Sequence, residues 1–335
     1  MYFDTHLNTL WYLTKPSDAK SALVYKETLK RVFALAKKDR FRKPFYRGKK
    51  SGGRRRIVPA QKDLVFIQMV LAEWFAGKFD QGLDTCHTGH GVLSAVKVHQ
   101  KAKCALVVDL KSAFDHVTGK KLHAFLRSRL ARYTPEVRIL MVDLLTYENS
   151  TPQGCVSTPF VFNAVMAEVD REIAEELRSL PVCAITRYVD NICISFTAGV
   201  DLFKVEQIVR RIINAHDFEV SWSLSFNEPP FVYLGTRISE SQLELDIDKL
   251  SEYEALLREA ITSSVPNTYK RQITGILMWV YRVYAQLDPG ELNSTQRKEV
   301  ADFIRLFQRY YQRGRSRAPE QLDKLVTLMH NLRMF

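Results

Sequence analysis

Two aspartates stand at places in the sequence where a carboxylate is costly. Asp109 lies near the end of the apolar run CALVVDL at 104–110, and Asp190 lies inside RYVDNICIS at 187–195, which otherwise has the pattern of a buried strand. An ionised carboxylate in apolar surroundings is unfavourable unless a cation compensates it. The two segments therefore predict a metal ion or a positive side chain beside each acid.

The β-runs before these acids suggest how they could meet. If the two strands are neighbours in one sheet, the carboxylates converge, and their repulsion would raise one pKa unless divalent cations bind between them. Oxygen ligands favour Mg²⁺, with Mn²⁺ as the alternative, and two such ions about 4 Å apart form the clamp used for in-line phosphoryl transfer. A single aspartate at a strand end is more often a cap or a turn former, so the hypothesis depends on the pair.

The elements that must position these acids alternate between helix and strand up to about residue 240 and are helical afterwards. The predicted elements are helices over 18–39 and 62–78, a strand over 104–110, a turn into a helix that ends near 132, a helix over 158–178, a hairpin over 185–196 with Asp190 at its tip, a helix over 202–215, strands near 218–226 and at 231–238, and helices from 248 onward. This order predicts an α+β fold.

The basic residues are concentrated near the N-terminus. The formal net charge is +12, and residues 1–60 hold sixteen Lys and Arg against four acids. A weaker basic cluster, RLFQRYYQRGRSR, occupies 305–317. Such a balance indicates a polyanionic partner, and we favour nucleic acid over a ribosome or an anionic membrane surface.

Composition narrows the class of protein further. A chain of 335 residues with 46% hydrophobic residues can bury a core spread over two or three subdomains. Because no apolar run approaches the ~20 residues that span a bilayer and the first residues lack a signal-peptide pattern, we expect a cytoplasmic protein with no membrane partner. The five cysteines are scattered, which predicts reduced thiols.

Five segments resemble the motifs of reverse transcriptases, in the order of that family. VVDLKSAFDHV at 107–117 is similar to the first catalytic motif, TPQGCVSTPFVFN at 151–163 to the Pro-Gln-Gly segment, and YVDN at 188–191 to the Tyr-x-Asp-Asp box. KKSGGRRRIVP at 49–59 resembles the fingers motif of bacterial enzymes of the retron and group II intron kinds, and FVYLG at 231–235 resembles their primer-grip hairpin. The architecture as a whole resembles retron and abortive-infection enzymes.

This resemblance implies an architecture and a catalytic centre. The fold would be a right-hand polymerase, with fingers and an antiparallel palm sheet over 1–245 and a helical thumb over 246–335. Asp109 and Asp190 would bind the metals together with the backbone carbonyl of Leu110, and Asn191 would complete the catalytic box.

The resemblance also implies where the substrates bind. The predicted dNTP contacts are Lys49, Lys50, Arg55, Phe114, Gln153 and Gly154, of which Phe114 would exclude a ribose 2′-hydroxyl and the basic residues would neutralise the triphosphate. The predicted primer and template contacts are Tyr188, Val189, Tyr233, Leu234, Gly235, Arg309 and Arg313.

The sequence departs from the family pattern at several positions. Asn191 stands where the box has a second aspartate. The asparagine side chain keeps an oxygen acceptor but lacks the negative charge, so we expect weaker metal affinity rather than loss of the site. The lysine that usually follows the box has no clear equivalent. AVKVH at 95–99 is a poor version of another retron signature.

The function implied is RNA-directed DNA synthesis, in which dNTPs are added to a primer 3′-hydroxyl. The setting would be a retron-like or phage-defence system with a dedicated noncoding RNA and an effector protein as further partners. Two alternatives stay open. One is a template-independent or protein-primed DNA polymerase on the same fold, and the other is an RNA-binding scaffold whose catalysis has lapsed at Asn191.

Overall fold

The computed structural model describes residues 2–48, 54–83, 91–240, 242–263, 269–284, 294–313, 322–324 and 326–327, and within them the chain is α+β. The helices are α1 (Tyr2–Thr14), α2 (Ala19–Ala34), α3 (Lys62–Lys78), α4 (Gly91–Lys97), α5 (Gly119–Arg129), α6 (Pro135–Leu145), α7 (Thr158–Glu176), α8 (Leu202–Ala215), α9 (Ile247–Thr262), α10 (Lys270–Tyr284) and α11 (Ser294–Arg313). The strands are β1 (Phe45–Gly48), β2 (Arg54–Ile57), β3 (Cys104–Leu110), β4 (Val182–Tyr188), β5 (Asn191–Phe196), β6 (Val220–Phe226), β7 (Phe231–Tyr233), β8 (Thr236–Ile238) and β9 (Leu243–Leu245).

Helix and strand boundaries follow local sequence signals closely in the central part of the chain. Helices α3 and α8 and strand β3 have the predicted bounds. Helix α2 begins after Asp18, whose carboxylate accepts a hydrogen bond from the Ser21 N–H at 2.7 Å, but it ends at Ala34 because a short 3₁₀ turn follows. The segment predicted as one strand at 231–238 is a hairpin, since Leu234 and Gly235 both have positive φ and reverse the chain.

The central sheet has the strand order β4-β5-β3-β6, and the neighbouring strands are antiparallel. One face, which includes Leu106, Val108 and Ile192, packs into the main core with helices α7 and α8. The opposite face, which includes Val107 and Cys193, packs against α4 and the small sheet formed by β7, β8 and β9. Both faces of β3 are therefore covered, which explains its continuous apolar run.

The helices after β9 form a core of their own. Helices α9, α10 and α11 bury the hydrophobic residues between Leu250 and Leu322, whereas the last buried residue of the preceding clusters is Leu243. No helix in the described ranges is long and apolar enough to cross a membrane. Four cysteines, at positions 104, 155, 183 and 193, are free thiols, and Cys86 lies outside the described residues.

Candidate active site

The hairpin between β4 and β5 presents Asp190 at its tip, as the sequence predicted. Tyr188 pairs with Asn191, which leaves Val189 and Asp190 as a two-residue loop. Val189 adopts φ +58°, a conformation that is unfavourable for a β-branched residue and persists only where surrounding contacts impose it. The backbone carbonyl of Asp190 accepts a hydrogen bond from the Leu110 N–H at 2.9 Å, so the loop is bonded to the end of β3.

The two aspartates meet at one end of the central sheet. Asp109 on β3 lies directly opposite Asn191 on β5, and residues opposite each other in an antiparallel pair have Cα atoms about 5 Å apart. The prediction that the β-runs before the two acids are neighbours is wrong in this detail, because β5, which follows Asp190, pairs with β3 and separates it from β4. On its other side Asp109 is paired with Trp222 of β6, whose ring is half exposed, so an aromatic surface that the motifs did not indicate borders the acid.

The environment of Asp190 disfavours its ionised form when no cation is bound. Burial raises the pKa of the Asp190 carboxyl, while a hydrogen bond from the Asn191 side-chain amide at 3.2 Å and the positive charges of Arg55 and Arg187 act in the opposite direction. The net result is a desolvated carboxylate that a divalent cation would stabilise.

The ligands available at this end of the sheet suit a metal that is only partly bound by protein. Among the described residues, no group of three or more His, Cys, Asp or Glu side chains could hold a metal ion. Mg²⁺ is commonly bound through one or two carboxylates plus substrate phosphates and water, and Asp109 and Asp190 with a nearby main-chain carbonyl match that pattern. These residues therefore match a Mg²⁺ ion that binds together with a triphosphate, and they do not match a structural site in which protein supplies every ligand.

Arg187 supports the hairpin from inside the protein, and the motif analysis missed it. Its side chain is fully buried, and the guanidinium donates hydrogen bonds to both carboxylate oxygens of Asp170 at 2.8–3.1 Å, to Asn163 Oδ1 at 2.8 Å and to the Val189 carbonyl at 3.1 Å. An arginine inside an apolar strand, one residue before Tyr188, was the available sequence signal. The contacts fix the strained loop to helix α7.

A glycine allows the chain to wrap around this ion pair. The Leu83 N–H donates to Asp170 Oδ2 at 2.9 Å, and the Leu83 carbonyl accepts from the Arg187 N–H at 3.0 Å. The preceding Gly82 has φ +63°, and a Cβ atom there would lie 2.1 Å from Asp170 Oδ2. Only glycine is compatible with both the conformation and the contact.

Phe114 is held by the helix that follows the Pro-Gln-Gly segment. Its half-buried ring contacts Phe162 of α7 edge to face, with ring centroids 5.4 Å apart, and the guanidinium of Arg187 lies 5.4 Å from the same Phe162 ring. The Phe114 carbonyl accepts a hydrogen bond from the Thr151 hydroxyl at 2.8 Å. Phe114 and the Asp190 loop are therefore positioned through one shared aromatic side chain.

The Pro-Gln-Gly segment is bonded to the basic hairpin formed by β1 and β2. The Gln153 carbonyl accepts a hydrogen bond from the Val58 N–H at 2.8 Å, and the buried Gln153 Oε1 has no hydrogen-bond partner among the described residues. Gly154 has φ +101°, and a Cβ there would lie 2.7 Å from Ile57 Cγ2. The close approach of these two segments requires the glycine.

The arginines of β2 have different neighbours. Successive side chains of a strand point to opposite faces, which separates Arg55 from Arg54 and Arg56. Arg56 forms a two-bond ion pair with Glu148, at 2.5 and 3.0 Å, whereas Arg55 is exposed and its positive charge acts on Asp190. The predicted triphosphate contacts Lys49 and Lys50 lie outside the described residues.

Tyr233 reaches the site from the interior. Its side chain is buried, and its hydroxyl donates a hydrogen bond to the Asn191 carbonyl at 3.1 Å, so only its backbone is available to a primer. Leu234 and Gly235 form the turn beyond it, and Arg309 is exposed on α11. The side chain of Arg313 lies outside the described residues.

A buried histidine lies behind Tyr233. The His99 ring nitrogens are within 2.7 Å of the Ser195 hydroxyl and 2.8 Å of the Thr186 hydroxyl, and its ring meets the Tyr233 ring edge to face. Burial lowers the pKa of His99 to about 4, so the ring is neutral at pH 7. The sequence AVKVH contained this histidine, but its role became visible only in the folded chain.

The sequence model of one protein family, described as "Reverse transcriptase (RNA-dependent DNA polymerase)", matches residues 49–238, which contain both aspartates and the predicted nucleotide contacts but not Arg309 and Arg313. The chain belongs to this reverse transcriptase family. The family resemblance inferred from the five motifs is thus confirmed, and members of this family depend on divalent metal ions.

Individual relatives are distant. Retron Se72 reverse transcriptase of Salmonella heidelberg (strain 579083-10) is 21% identical over 193 residues, which are 57% of this chain and 50% of that protein. The chain thus matches about half the length of this curated relative. Among solved structures, telomerase from Candida albicans in complex with a TWJ fragment of telomeric RNA is similar at a TM-score of 0.45 and 10% identity, over 92% of this chain and 65% of that one. This structural likeness is too weak to support a conclusion.

Proposed function

We propose that this protein is an RNA-directed DNA polymerase that adds dNTPs to a primer 3′-hydroxyl in a retron-like or anti-phage setting. The observation that carries the proposal is the meeting of Asp109 and Asp190 at one end of the central sheet, inside the region that the family shares. The central sheet would be the palm of a right-hand polymerase, with fingers and palm over 1–245. The separate helical core of α9–α11 would belong to a thumb over 246–335.

Bound Mg²⁺ would lower the pKa of the primer hydroxyl and stabilise the charge on the departing pyrophosphate. Asp109, Asp190 and the Leu110 carbonyl would hold the metal ions, and Asn191 would orient Asp190 through the observed amide hydrogen bond. Because the Asp190 loop is bonded to β3 and to Arg187, and the next residue, Asn191, is bonded to Tyr233, the Asp190 carboxylate would be positioned before substrate binds.

The nucleotide would lie between the basic hairpin and the sheet. Arg55, with Lys49 and Lys50, would neutralise the triphosphate, because a planar guanidinium and mobile ammonium groups match phosphate oxygens. Phe114 would pack against the sugar and exclude a 2′-hydroxyl. Gln153 and Gly154 would contact the nucleotide and template, and the buried unpartnered Gln153 Oε1 gives this segment an acceptor that substrate could satisfy.

The nucleic acid would extend from the site along the sheet towards the thumb. Tyr188 and Val189 would contact the primer end and template, the backbone of Tyr233, Leu234 and Gly235 would hold the primer, and Arg309 and Arg313 would contact the duplex. The template would be RNA, including a dedicated noncoding RNA, and the product DNA. An effector protein would be a further partner.

Primer extension tests the proposal. Purified protein with poly(rA)/oligo(dT), dTTP and Mg²⁺ should extend the primer, and Asp109→Ala or Asp190→Ala should each abolish extension. Asp115→Ala is the matched control, because this exposed aspartate lies in the same motif as Asp109. Surviving activity in either active-site variant would contradict the assignment.

The same assay separates the alternatives. Synthesis that is equal with and without template would support a template-independent or protein-primed polymerase. Tight RNA binding without incorporation in Mg²⁺ or Mn²⁺ would support a scaffold whose catalysis has lapsed. Sequencing the nucleic acid that co-purifies with the protein would identify the template.

A further inference from the structure

A groove of about 640 Å³ lies beside α1, between its exposed face, helix α3 and the segment that joins α5 to α6. Helix α7 packs beneath the central sheet, α3 packs on α7, and α1 packs on α3 and α6. The groove is therefore separated from the end of the sheet that carries Asp109 and Asp190 by two layers of helix. A ligand bound there would not occupy the proposed primer and nucleotide sites.

Aromatic rings and cations line this groove. The rings belong to Tyr12, Trp74 and Tyr133, the cations are Lys78 and Arg132, and the other lining residues are neutral. The Tyr12 ring is 70% exposed although it is large and apolar. Aromatic rings can stack on a nucleic-acid base, and the flanking cations can pair with its phosphate. Among the described residues, none that lines the groove is a carboxylate that would repel the phosphate.

The existing contacts show that cations and rings are already adjacent. The Arg132 guanidinium lies 5.0 Å from the Tyr133 ring centroid, and the ammonium of Lys15, which is not a lining residue, lies 4.4 Å from the Tyr12 ring centroid. A base that stacks on Tyr12 would therefore have its phosphate within reach of a positive charge. A neutral peptide would gain nothing from these charges.

A second cavity shares one lining residue with the groove. It has a volume of about 190 Å³, shares Lys78 with the first, and is lined also by Arg129 and Arg171. Its single acid, Asp80, is 3.7 Å from the Arg171 guanidinium and is thus partly neutralised. Four cations, Lys78, Arg129, Arg132 and Arg171, thus line the two cavities, which is enough to pair with more than one phosphate.

We propose that this groove is a second nucleic-acid site that binds a single-stranded segment, with a base stacked on Tyr12 and phosphates paired with Lys78 and Arg132. The site goes beyond the proposed polymerase function, because it is separate from the catalytic residues and requires no catalysis. Asparagine and threonine side chains in the lining can bond a ribose 2′-hydroxyl, so we expect RNA to bind more tightly than DNA.

The experiment measures fluorescence anisotropy of labelled oligo(U) and oligo(dT) of roughly 10 nucleotides, a length within the range of one single-strand site. The full chain is first saturated with unlabelled primer–template duplex, so that the catalytic cleft is occupied. The Tyr12→Ala/Lys78→Ala/Arg132→Ala variant should bind oligo(U) at least about tenfold more weakly. The slope of log affinity against log salt should fall by about 1.4, since two phosphate contacts are lost.

The matched control is Phe203→Ala/Lys204→Ala/Arg178→Ala, which removes one exposed ring and two exposed cations from α8 and from the segment just after α7. It should bind oligo(U) like the parent. Lys78→Glu alone provides the test if the triple variant does not fold, because Lys78 is exposed. This reversal should weaken oligo(U) binding and lower the salt slope by at least about 0.7, the value for one lost phosphate contact.

Three results would overturn the proposal. The first is parental affinity in the groove variants, which would leave the groove to another class of ligand, such as a helix of a partner protein. The second is an equal loss in the groove and control variants, which would show binding by overall charge. The third is complete displacement of oligo(U) by the duplex, which would place the probe in the catalytic cleft. Tighter binding of oligo(dT) than of oligo(U) would assign the same site to single-stranded DNA.

Discussion

Arg187 and Asp170 form an ion pair whose side chains are 0% and 2% exposed, directly behind the loop that carries Asp190. A buried ion pair adds little net stability compared with an apolar pair, but removing one partner leaves an uncompensated buried charge. Arg187 also donates a hydrogen bond to the Val189 carbonyl, and this bond restrains the conformation of the loop. We regard Arg187 as a positioning residue for the candidate active site.

Replacing Arg187 by methionine should lower the free energy of unfolding by about 3–5 kcal/mol, because the Asp170 carboxylate loses its partner. Urea unfolding measures this change. Arg187→Met/Asp170→Leu should regain a large part of the loss, and Arg178→Met, which breaks an exposed pair with Glu175, should change stability by less than about 1 kcal/mol. A small effect of Arg187→Met would show that the pair does not hold the loop.

Arg187→Lys separates positioning from stability. Lysine keeps the positive charge but cannot donate at once to Asp170, Asn163 and the Val189 carbonyl. We expect a folded variant whose primer extension has a lower kcat at an unchanged KM for dNTP. Parental kcat in this variant would restrict Arg187 to a structural role.

The sequence was sufficient to predict the parts of the site that depend on local patterns. The apolar run before Asp109 and the two β-runs around Asp190 gave the correct strands, and the order of the motifs gave the correct family. The pairing of β3 with β5, the strand after Asp190, did not follow from the local patterns, which only required that the two acids share a compensating cation. The catalytic and substrate roles of the individual residues remain predictions.

The residues that support the loop could not be predicted, because their contacts join distant parts of the chain. In the sequence, Asp170 is indistinguishable from the other polar residues of α7, and His99 belongs to AVKVH, a poor version of a retron signature. Only tertiary packing brings Asp170 to Arg187 and His99 to Ser195 and Thr186. The turn at Leu234 was indicated by the resemblance of FVYLG to a primer-grip hairpin and not by the local pattern, since a leucine with positive φ carries no local signal.

Phe114→Ala should admit ribonucleotides. The ring is held against Phe162, so its removal opens space beside the proposed sugar position without disturbing the metal ligands. We expect the ratio of kcat/KM for dTTP over UTP to fall at least about tenfold. Phe125→Ala is the control. It removes a partly buried ring that lies on α5, away from the proposed sugar position, and should leave the ratio unchanged. Unchanged sugar discrimination in Phe114→Ala would remove the gate assignment.

Asn191→Asp should retain or increase activity and lower the Mg²⁺ concentration needed for half-maximal extension by several-fold, because it adds a negative charge beside the metal ligands. The substitution also replaces the amide that donates to Asp190 by a second carboxylate. The two negative charges can lie side by side only when a cation binds between them. Extension rates across a Mg²⁺ titration measure the effect, with Asn214→Asp at the exposed end of α8 as control. An inactive Asn191→Asp variant would show that the asparagine has a specific role.

His99 should make the stability of the fold depend on pH. Its pKa is about 4 in the folded chain and 6.5 ordinarily, so between these values the unfolded chain binds more protons, and stability falls as pH falls through this window. From pH 7 to pH 5 the protonation of His99 in the unfolded chain should lower the free energy of unfolding by about 2 kcal/mol.

His99→Gln should be less stable than the parent at pH 7, because Ser195 and Thr186 lose a partner, but its free energy of unfolding should fall by about 2 kcal/mol less on acidification. Urea unfolding of both proteins at the two pH values measures the difference, and parallel losses would contradict a neutral buried imidazole.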